Sequence, residues 1–267
     1  MKEVVHDGTV RVAHLIPSRG RAHLMLKNMG KMRDVWNRPG TFIAIDRREV
    51  GDYREVVDAL PKVEWISYDN PGAYVGYALE TLRQAGVQYD PDIHVMSDDN
   101  CVFTAEAFNN LVRVTHAFGG HVGGAHPTAA FFDKSRMRRL MEEKHGVRSF
   151  RKMTWILRAI SNEWYSKFKY PIDLPCYADR YFSMWLISKG MLNFRCAPDA
   201  HFTKTRMIEG GIGAKDTRTR SALGLARLCT DFAGTMGPHE ARIPWELIIQ
   251  RNQPKIRIRL GKGRRSN

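Results

Sequence analysis

The sequence contains little cysteine, and its four cysteines are far apart. Cys101, Cys176, Cys196 and Cys229 form no C-x-x-C pair in the 267 residues. That spacing argues against a zinc ribbon, a thioredoxin-type redox site and a disulfide scaffold. We expect these cysteines to be reduced and mostly packed inside the protein.

Long apolar runs and nucleotide-binding glycine motifs are also missing. No stretch reaches the about 18 apolar residues of a membrane span, and the N-terminal MKEVVHDGTVRV contains acids where a secretory signal is apolar. We therefore expect a soluble, cytoplasmic protein with no stable membrane insertion. No Gly-Lys-Ser/Thr follows the Walker A spacing, which removes the main support for a kinase or an ATPase.

Negative charge is scarce relative to positive charge. The chain has 42 Lys and Arg against 28 Asp and Glu, a formal net charge of +14. The excess lies after residue 130 and includes the tail PKIRIRLGKGRRSN. It favours a polyanionic partner, although a basic surface that keeps the protein soluble gives the same composition.

The hydrophobic content of 43% is enough for a full core, and apolar runs alternate in type along the first half. Strand-like runs alternate with helix-like runs, the last of which is closed by Gly86. The predicted strands are 10–18, 40–46, 62–70 and 92–99, and the predicted helices are 21–36, 53–60 and 73–86. Repeated βα units predict an α/β fold with a mainly parallel sheet flanked by helices.

Polar residues follow each predicted strand, and the carboxyl ends of parallel strands form the ligand edge of such sheets. These residues are Ser18-Arg19, Asp46, Asp69-Asn70 and Asp98-Asp99. Mg²⁺ and Mn²⁺ prefer oxygen ligands and are often held by one or two carboxylates plus substrate phosphates. The acidic pair therefore suits a metal beside a diphosphate, although Asp-Asp-Asn is also an ordinary turn or N-cap composition.

Three further segments each allow two interpretations. Pro71 and Gly72 precede a helix and place backbone N–H groups near a sugar or phosphate, or form an ordinary turn. The glycine-rich and then basic segment 207–220 is a loop that closes over a diphosphate, or a flexible linker. Segment 151–177 mixes aromatic residues with Arg and Lys, which fits base stacking or an amphipathic helix containing Trp155, Ile156 and Ile160. Its other aromatic residues are Trp164, Tyr165, Phe168 and Tyr170.

The order of these pieces resembles GT-A glycosyltransferases, in particular the family-2-like ones. VAHLIPSRGRAHLMLKNM resembles their first strand and nucleotide loop, the strand ending at Asp46 matches their nucleobase contact, and VMSDDN matches their metal-binding D-x-D. CYADRYFSMWLISKGMLNFRCAPDAHF is similar to their second signature, in which an acid opens a helix and a late histidine follows. The motif here reads Ser-Asp-Asp-Asn, so one acid of D-x-D is replaced in either register, and Asp98 and Asp99 stay alternatives as the metal ligand.

The resemblance implies a GT-A-like (Rossmann-like) catalytic domain over residues 1–240. Residues 1–130 would form its nucleotide-sugar-binding half and residues 131–240 its acceptor half. A basic tail over 241–267 would follow.

The resemblance also implies the site residues. Asp179 would be the base that activates the acceptor, with an N-cap role as the alternative. Mn²⁺ or Mg²⁺ would be held by Asp98, Asp99 and His201, although a lone histidine also fits a structural role. The implied donor contacts are Pro17, Ser18, Arg19, Arg21, Asp46, Asn70, Gly72, Asp98 and Lys204.

The implied activity is transfer of a sugar, of hexosyltransferase type and inverting, from a UDP-sugar to a hydroxyl. The size, the missing membrane segment and the basic second half resemble the phage-type glycosyltransferases found with TET-like base oxidases, which implies 5-hydroxymethylcytosine in DNA as acceptor and the host cytoplasm as location. The alternatives are a glycosyltransferase acting on a cell-surface polysaccharide or lipid-linked glycan, and a non-catalytic nucleic-acid-binding protein.

Overall fold

A computed structural model gives the architecture of the larger part of the chain. It describes residues 10–70, 72, 74–118, 121–123, 147–150, 157–191, 193–196, 203–204, 217–233, 245–250 and 253–258. Within these ranges, no helix combines the length and the apolar composition needed to cross a membrane. Cys101 is buried and Cys176 is half-buried, and both are reduced, as predicted.

The first half confirms the predicted alternation of strands and helices. Its elements are β1 (Val12–Ser18), α1 (Ala22–Trp36), β2 (Thr41–Asp46), a 3-10 helix (Arg47–Tyr53), α2 (Arg54–Ala59), β3 (Glu64–Tyr68), α3 (Val75–Gln88) and β4 (Ile93–Met96). The predicted helix end at Gly86 is wrong, because α3 continues to Gln88. A Cβ at Gly86 would lie 2.9 Å from Leu15 Cδ2, so this glycine allows close helix–sheet packing instead of ending the helix.

The second half adds eight strands and four further helices in its described part. Its elements are β5 (Cys101–Val102), α4 (Ala105–Phe118), β6 (His121–Gly123), β7 (Val147–Phe150), β8 (Arg158–Ser161), α5 (Asn162–Tyr165), α6 (Ala178–Ser188), β9 (Asn193–Cys196), β10 (Thr203–Lys204), α7 (Thr217–Ala233), β11 (Trp245–Gln250) and β12 (Gln253–Ile258). Strands β11 and β12 pair as an antiparallel hairpin inside the segment predicted as a basic tail.

Eight strands form the main sheet, in the order β3-β2-β1-β4-β8-β6-β9-β7. Strands β1 to β4 are mutually parallel, whereas β8 runs antiparallel to β4. The predicted α/β fold with a mainly parallel sheet is confirmed. The carboxyl ends of β1, β2, β3 and β4 lie at one edge of the sheet, where ligands bind in such folds.

Alternate residues of the strands fill two hydrophobic cores, one on each face of the sheet. Ile16 packs with Met25, Met32 and Phe108 on the face covered by α1 and α4. On the other face, under α3 and α6, the buried residues include Leu15, Leu82, Tyr165, Phe168 and Phe182. Because both faces are covered, the central strands are almost continuously apolar.

The amphipathic helix suggested for segment 151–177 is wrong. Ile160 lies in strand β8, and Trp155 and Ile156 lie outside the described residues. Tyr165, Phe168 and Tyr170 are buried in the core with Phe182, and Trp164 is half-buried against Trp185. Buried rings cannot stack on bases, so this part of the segment gives no support to a base-stacking surface.

Backbone groups of the chain between α5 and α6 form hydrogen bonds with α3. Tyr170 N donates to Glu80 Oε2 (2.9 Å), and Gly76 N donates to Leu174 O (3.0 Å). A Cβ at Gly76 would lie 1.8 Å from Pro171 O, so only glycine allows this approach. These contacts fix the start of α6 relative to the ligand edge of the sheet.

Candidate functional site

The structure brings the ends of β1 and β4 into direct contact. Ser18 Oγ donates to Asp99 Oδ2 (2.6 Å), and Arg21 Nη1 donates to Asp99 Oδ1 (2.6 Å). Tyr53, in the 3-10 helix, hydrogen-bonds through its hydroxyl to Ser18 Oγ (2.7 Å) and to Arg21 N (3.1 Å). Three segments of the ligand edge therefore meet at one carboxylate.

The two adjacent aspartates differ in exposure and in partners. Asp99 is completely buried, and both of its oxygens accept hydrogen bonds. Burial raises the pKa of its carboxyl group, while Arg21 and Ser18 oppose that rise. Asp98 is partly exposed at the same edge. Of the two candidates for the metal ligand, Asp98 is the one that solvent reaches, whereas Asp99 is completely buried.

Asp46, at the end of β2, is buried beneath an arginine. Arg48 donates to its carboxylate through Nε (2.8 Å) and Nη2 (2.5 Å), and through its backbone N (3.1 Å). These hydrogen bonds hold the pKa of Asp46 below its usual range. Arg48 Nη2 also donates to Asn70 O (2.9 Å), so Arg48 links the ends of β2 and β3. The sequence analysis did not identify Arg48; its only sequence signal is its place two residues after a strand-ending aspartate.

Asn70 and Gly72 shape the loop between β3 and α3. Asn70 Nδ2 donates to Tyr74 O (2.9 Å), and Asn70 Oδ1 accepts from Tyr74 N (3.0 Å). The Tyr74 ring lies where a side chain at Gly72 would be, 2.2 Å from its Cβ position. Arg220 Nη2, in α7, donates to Gly72 O (3.2 Å). The loop is closed by its own residues and is fixed from outside by α7.

The other predicted donor contacts are placed as follows. Arg19 is partly exposed and pairs with Glu49 (3.7 Å), and Pro17 is partly exposed in β1. Lys204 lies in β10 and pairs in register with Cys101, two residues after Asp99. His201 lies outside the described residues.

Asp179 lies in the first turn of α6 and is partly exposed. Tyr177, just before the helix, has a φ of 61°, and its carbonyl accepts from Tyr181 N (2.8 Å). Phe182 and Leu186, on the same helix, are buried in the core. The preceding loop is also held to α7, because Cys176 Sγ donates to Arg220 O (3.1 Å).

Asp179 and the end of β4 approach the same buried tyrosine. Burial raises the pKa of Tyr170, and the nearby charge of Asp179 raises it further. The Tyr170 hydroxyl contacts Met96 Sδ (3.9 Å), two residues before Asp98. Tyr170 therefore links the surroundings of Asp179 to the last residue of β4, two positions before Asp98.

The donor set fits a divalent metal in one specific form. Among the residues that the structure describes, no three His, Cys, Asp or Glu side chains group as a metal site. One accessible carboxylate together with substrate phosphates and water is nevertheless a common arrangement for Mg²⁺. Asp98 fits that arrangement.

Comparisons with known proteins give the fold a name. No family model matches the chain, and no curated protein does. The crystal structure of S. aureus TarS 1–349 aligns with a TM-score of 0.52 at 8% identity over 84% of this chain and 65% of that chain. The crystal structure of S. aureus TarS aligns with a TM-score of 0.50 at 8% identity, over 82% of this chain and 40% of that chain. The chain thus spans less than two thirds of either TarS chain.

A weaker match is GalNAc-T7 with UDP, GalNAc and Mn²⁺, at a TM-score of 0.47 and 11% identity over 72% of this chain and 43% of that one. At that TM-score the match supports no conclusion about this chain. TarS is a GT-A-type glycosyltransferase, and the fold of this chain is GT-A-like. At 8% identity the likeness to TarS extends to the fold alone.

Proposed function

We propose that this chain is a glycosyltransferase that uses a nucleotide-diphosphate sugar, with UDP as the nucleotide and Mn²⁺ or Mg²⁺ as the metal. One observation carries the proposal: partly exposed Asp98 follows β4 at the ligand edge of a GT-A-like sheet, and partly exposed Asp179 begins α6, whose core neighbour Tyr170 contacts Met96 of β4. A metal-facing carboxylate and a base-like carboxylate are the two groups that sugar transfer from a diphosphate requires.

The donor would bind along the loops that follow β1, β2 and β3. Asp46 and Arg48 form a paired, partly exposed surface for the nucleobase side. The closed loop at Gly72 leads into the N-terminus of α3, which favours an anionic group. Asp99 would act indirectly, by holding Ser18 and Arg21 in place. These loops are connected to each other before any ligand arrives, which reduces the ordering cost of binding.

The metal would be held by Asp98, and it supplies positive charge that stabilises the leaving diphosphate. Asp179 would take the proton from the acceptor hydroxyl as the hydroxyl oxygen bonds to the anomeric carbon. The bond between that carbon and the diphosphate oxygen breaks in the same step. Attack from the side opposite the leaving group makes the reaction inverting.

For the acceptor we propose 5-hydroxymethylcytosine in duplex DNA. The support is the net charge of +14, which favours a polyanion. Of the basic segments behind that charge, Arg218–Arg220 begin α7, whereas Arg136–Arg139 lie outside the described residues. The buried aromatic residues of segment 157–170 add nothing to this support.

The test is to incubate the protein with hydroxymethylated and unmodified duplex DNA and a panel of UDP-sugars, then digest the DNA and weigh the nucleosides. A hexose mass on the hydroxymethylated base alone is expected. Transfer only to a polysaccharide or lipid-linked glycan would replace the DNA acceptor. Salt-sensitive DNA binding with no transfer to any acceptor would make the chain a nucleic-acid-binding protein.

A further inference from the structure

Arg158, the first residue of β8, is a buried cation, and no carboxylate in the described part of the chain pairs with it. It is only 4% exposed. Its Nε donates to Met96 Sδ (3.4 Å), its Nη2 donates to the Tyr170 hydroxyl (3.1 Å), and its guanidinium lies 5.2 Å from the centre of the Phe182 ring. No residue that the structure describes accepts a hydrogen bond from Nη1.

These partners compensate the charge poorly. A thioether and a phenol are neutral, and sulfur is a weak acceptor. A buried charge is usually paired with an opposite one, because its lost hydration is otherwise not replaced. Two other buried arginines follow that rule: Arg21 pairs with Asp99 (2.6 Å), and Arg83 pairs with Glu80 (2.6 Å).

The position of Arg158 relates this charge to the site. In the antiparallel pairing of β4 and β8, Arg158 lies opposite Met96, two residues before Asp98. Tyr170 and Phe182 contact the guanidinium, and Phe182 lies on α6, three residues after Asp179. The positive charge of Arg158 therefore lies beside the carboxyl end of β4, which leads to Asp98, and against Phe182 of α6, the helix that Asp179 begins.

A second buried arginine provides the comparison. Arg38 lies 3.7 Å above the Phe108 ring, and its Nε and Nη2 have no partner in the described part of the chain. It precedes β2, at the amino edge of the sheet, away from the ligand edge. An unpaired buried arginine alone is thus no evidence of a ligand. Arg158 differs from Arg38 because it lies at the ligand edge, opposite Met96.

We propose that Arg158 binds an oxyanion of the donor, either its diphosphate or a carboxylate on the transferred sugar. The inference rests on the proposed function and adds a residue that sets which donor is accepted. A guanidinium presents a fixed fork of donors to such groups, and Nη1 would receive the partner it lacks. The ligand would complete a charge pair that the described residues leave incomplete.

The experiment compares Arg158→Met with the matched variant Arg38→Met. Melting temperature is measured without ligand, and calorimetry gives Kd for pyrophosphate, UDP, UDP-glucose and UDP-glucuronate. Arg158→Met is expected to keep or raise the melting temperature, because an unpaired buried charge is removed. It is expected to weaken binding of the recognised anion about tenfold or more. Arg38→Met is expected to leave every Kd unchanged.

The four ligands separate the two sources of the oxyanion. Equal loss for all four identifies the diphosphate, and loss for UDP-glucuronate alone identifies a sugar carboxylate. Unchanged affinities overturn the inference, as does a fall in melting temperature with no change in Kd. If Arg158→Met does not fold, Arg158→Lys keeps the charge without the fork and must still weaken binding.

The proposed function can fail separately. If the wild type binds pyrophosphate but no nucleotide, the donor proposal fails, and the Arg158 inference stands or falls on the pyrophosphate affinity of the variant. Binding of none of the four ligands overturns both.

Discussion

Buried carboxylates at the carboxyl edge of the central sheet are paired with arginines, whereas the buried arginine at the amino edge has no carboxylate partner among the described residues. At the carboxyl edge Asp99 is linked to Ser18 and Arg21, and Asp46 is linked to Arg48. At the amino edge Arg38 lies on an aromatic ring with two unpaired nitrogen atoms. Burial there lowers the pKa of Arg38 to about 9. The carboxyl edge thus uses charge pairs to connect loops from different strands, which is the organisation expected of a binding site.

The largest expected effect concerns the base. Asp179→Asn keeps the size of the side chain but removes its basicity, so turnover should fall about 10³-fold while UDP affinity is unchanged. Asp173→Asn, an exposed aspartate on the preceding loop that pairs with Arg227, is the matched control and should retain activity. Initial rates at saturating donor measure both variants. Near-normal turnover in Asp179→Asn would show that this residue only begins the helix.

The adjacent aspartates give the next comparison. Asp99→Asn leaves Arg21 buried without its counter-ion, so the free energy of unfolding should fall by about 3 kcal/mol. Asp98→Asn should change it by less than about 0.5 kcal/mol, because that residue is partly exposed. Urea unfolding of the two variants measures the difference. Equal destabilisation would contradict the division of roles between the two carboxylates.

Acid should destabilise the core through His94. Burial lowers the pKa of His94 to about 4, and Nε2 is hydrogen-bonded to Asn162 Oδ1 (2.8 Å). In the unfolded chain this histidine binds a proton near pH 6.5, whereas the folded protein keeps the ring neutral down to lower pH. The resulting contribution to the free energy of unfolding is complete above pH 6.5, and up to roughly 3 kcal/mol of it is lost as the pH falls towards 4. Unfolding free energies at pH 7 and 5 measure it. The pH dependence should shrink in His94→Gln and persist in His23→Gln, an exposed histidine of α1; an unchanged dependence in His94→Gln would contradict the assignment.

The smallest expected effect concerns α7. Arg220→Gln removes the hydrogen bond to Gly72 O, which fixes the loop beside the donor. Donor affinity should fall about fivefold, the value of one hydrogen bond, with little change in turnover. Thr219→Ala, the exposed neighbour on the same helix, should leave Kd unchanged. Calorimetry with UDP is the measurement. Equal Kd values for the two variants would show that the hydrogen bond from α7 does not affect donor binding.

The sequence predicted those features that depend on local pattern. The four parallel strands, their order along the chain and the acids at their ends follow from apolar periodicity and from residues adjacent in sequence. The contacts of Asp99 with Ser18 and Arg21 do not, because they join residues about 80 positions apart. Strand β8 was missed because a short apolar run beside aromatic residues fits a buried helix as well as a strand. Arg158 could not be identified for the same reason, since its importance follows from the pairing of β8 with β4.

We have proposed that Asp98 holds a metal for a nucleotide diphosphate at this edge of the sheet. The most direct measurement is a calorimetric titration of UDP into wild type and Asp98→Asn, each with and without Mn²⁺. Exposed Asp58→Asn on α2 serves as the matched control. The account predicts that Mn²⁺ tightens UDP binding about tenfold or more in wild type and in the control, but not in Asp98→Asn. Two results would contradict the proposal. One is that the wild type binds no UDP, and the other is that Mn²⁺ tightens UDP binding equally in wild type and in Asp98→Asn.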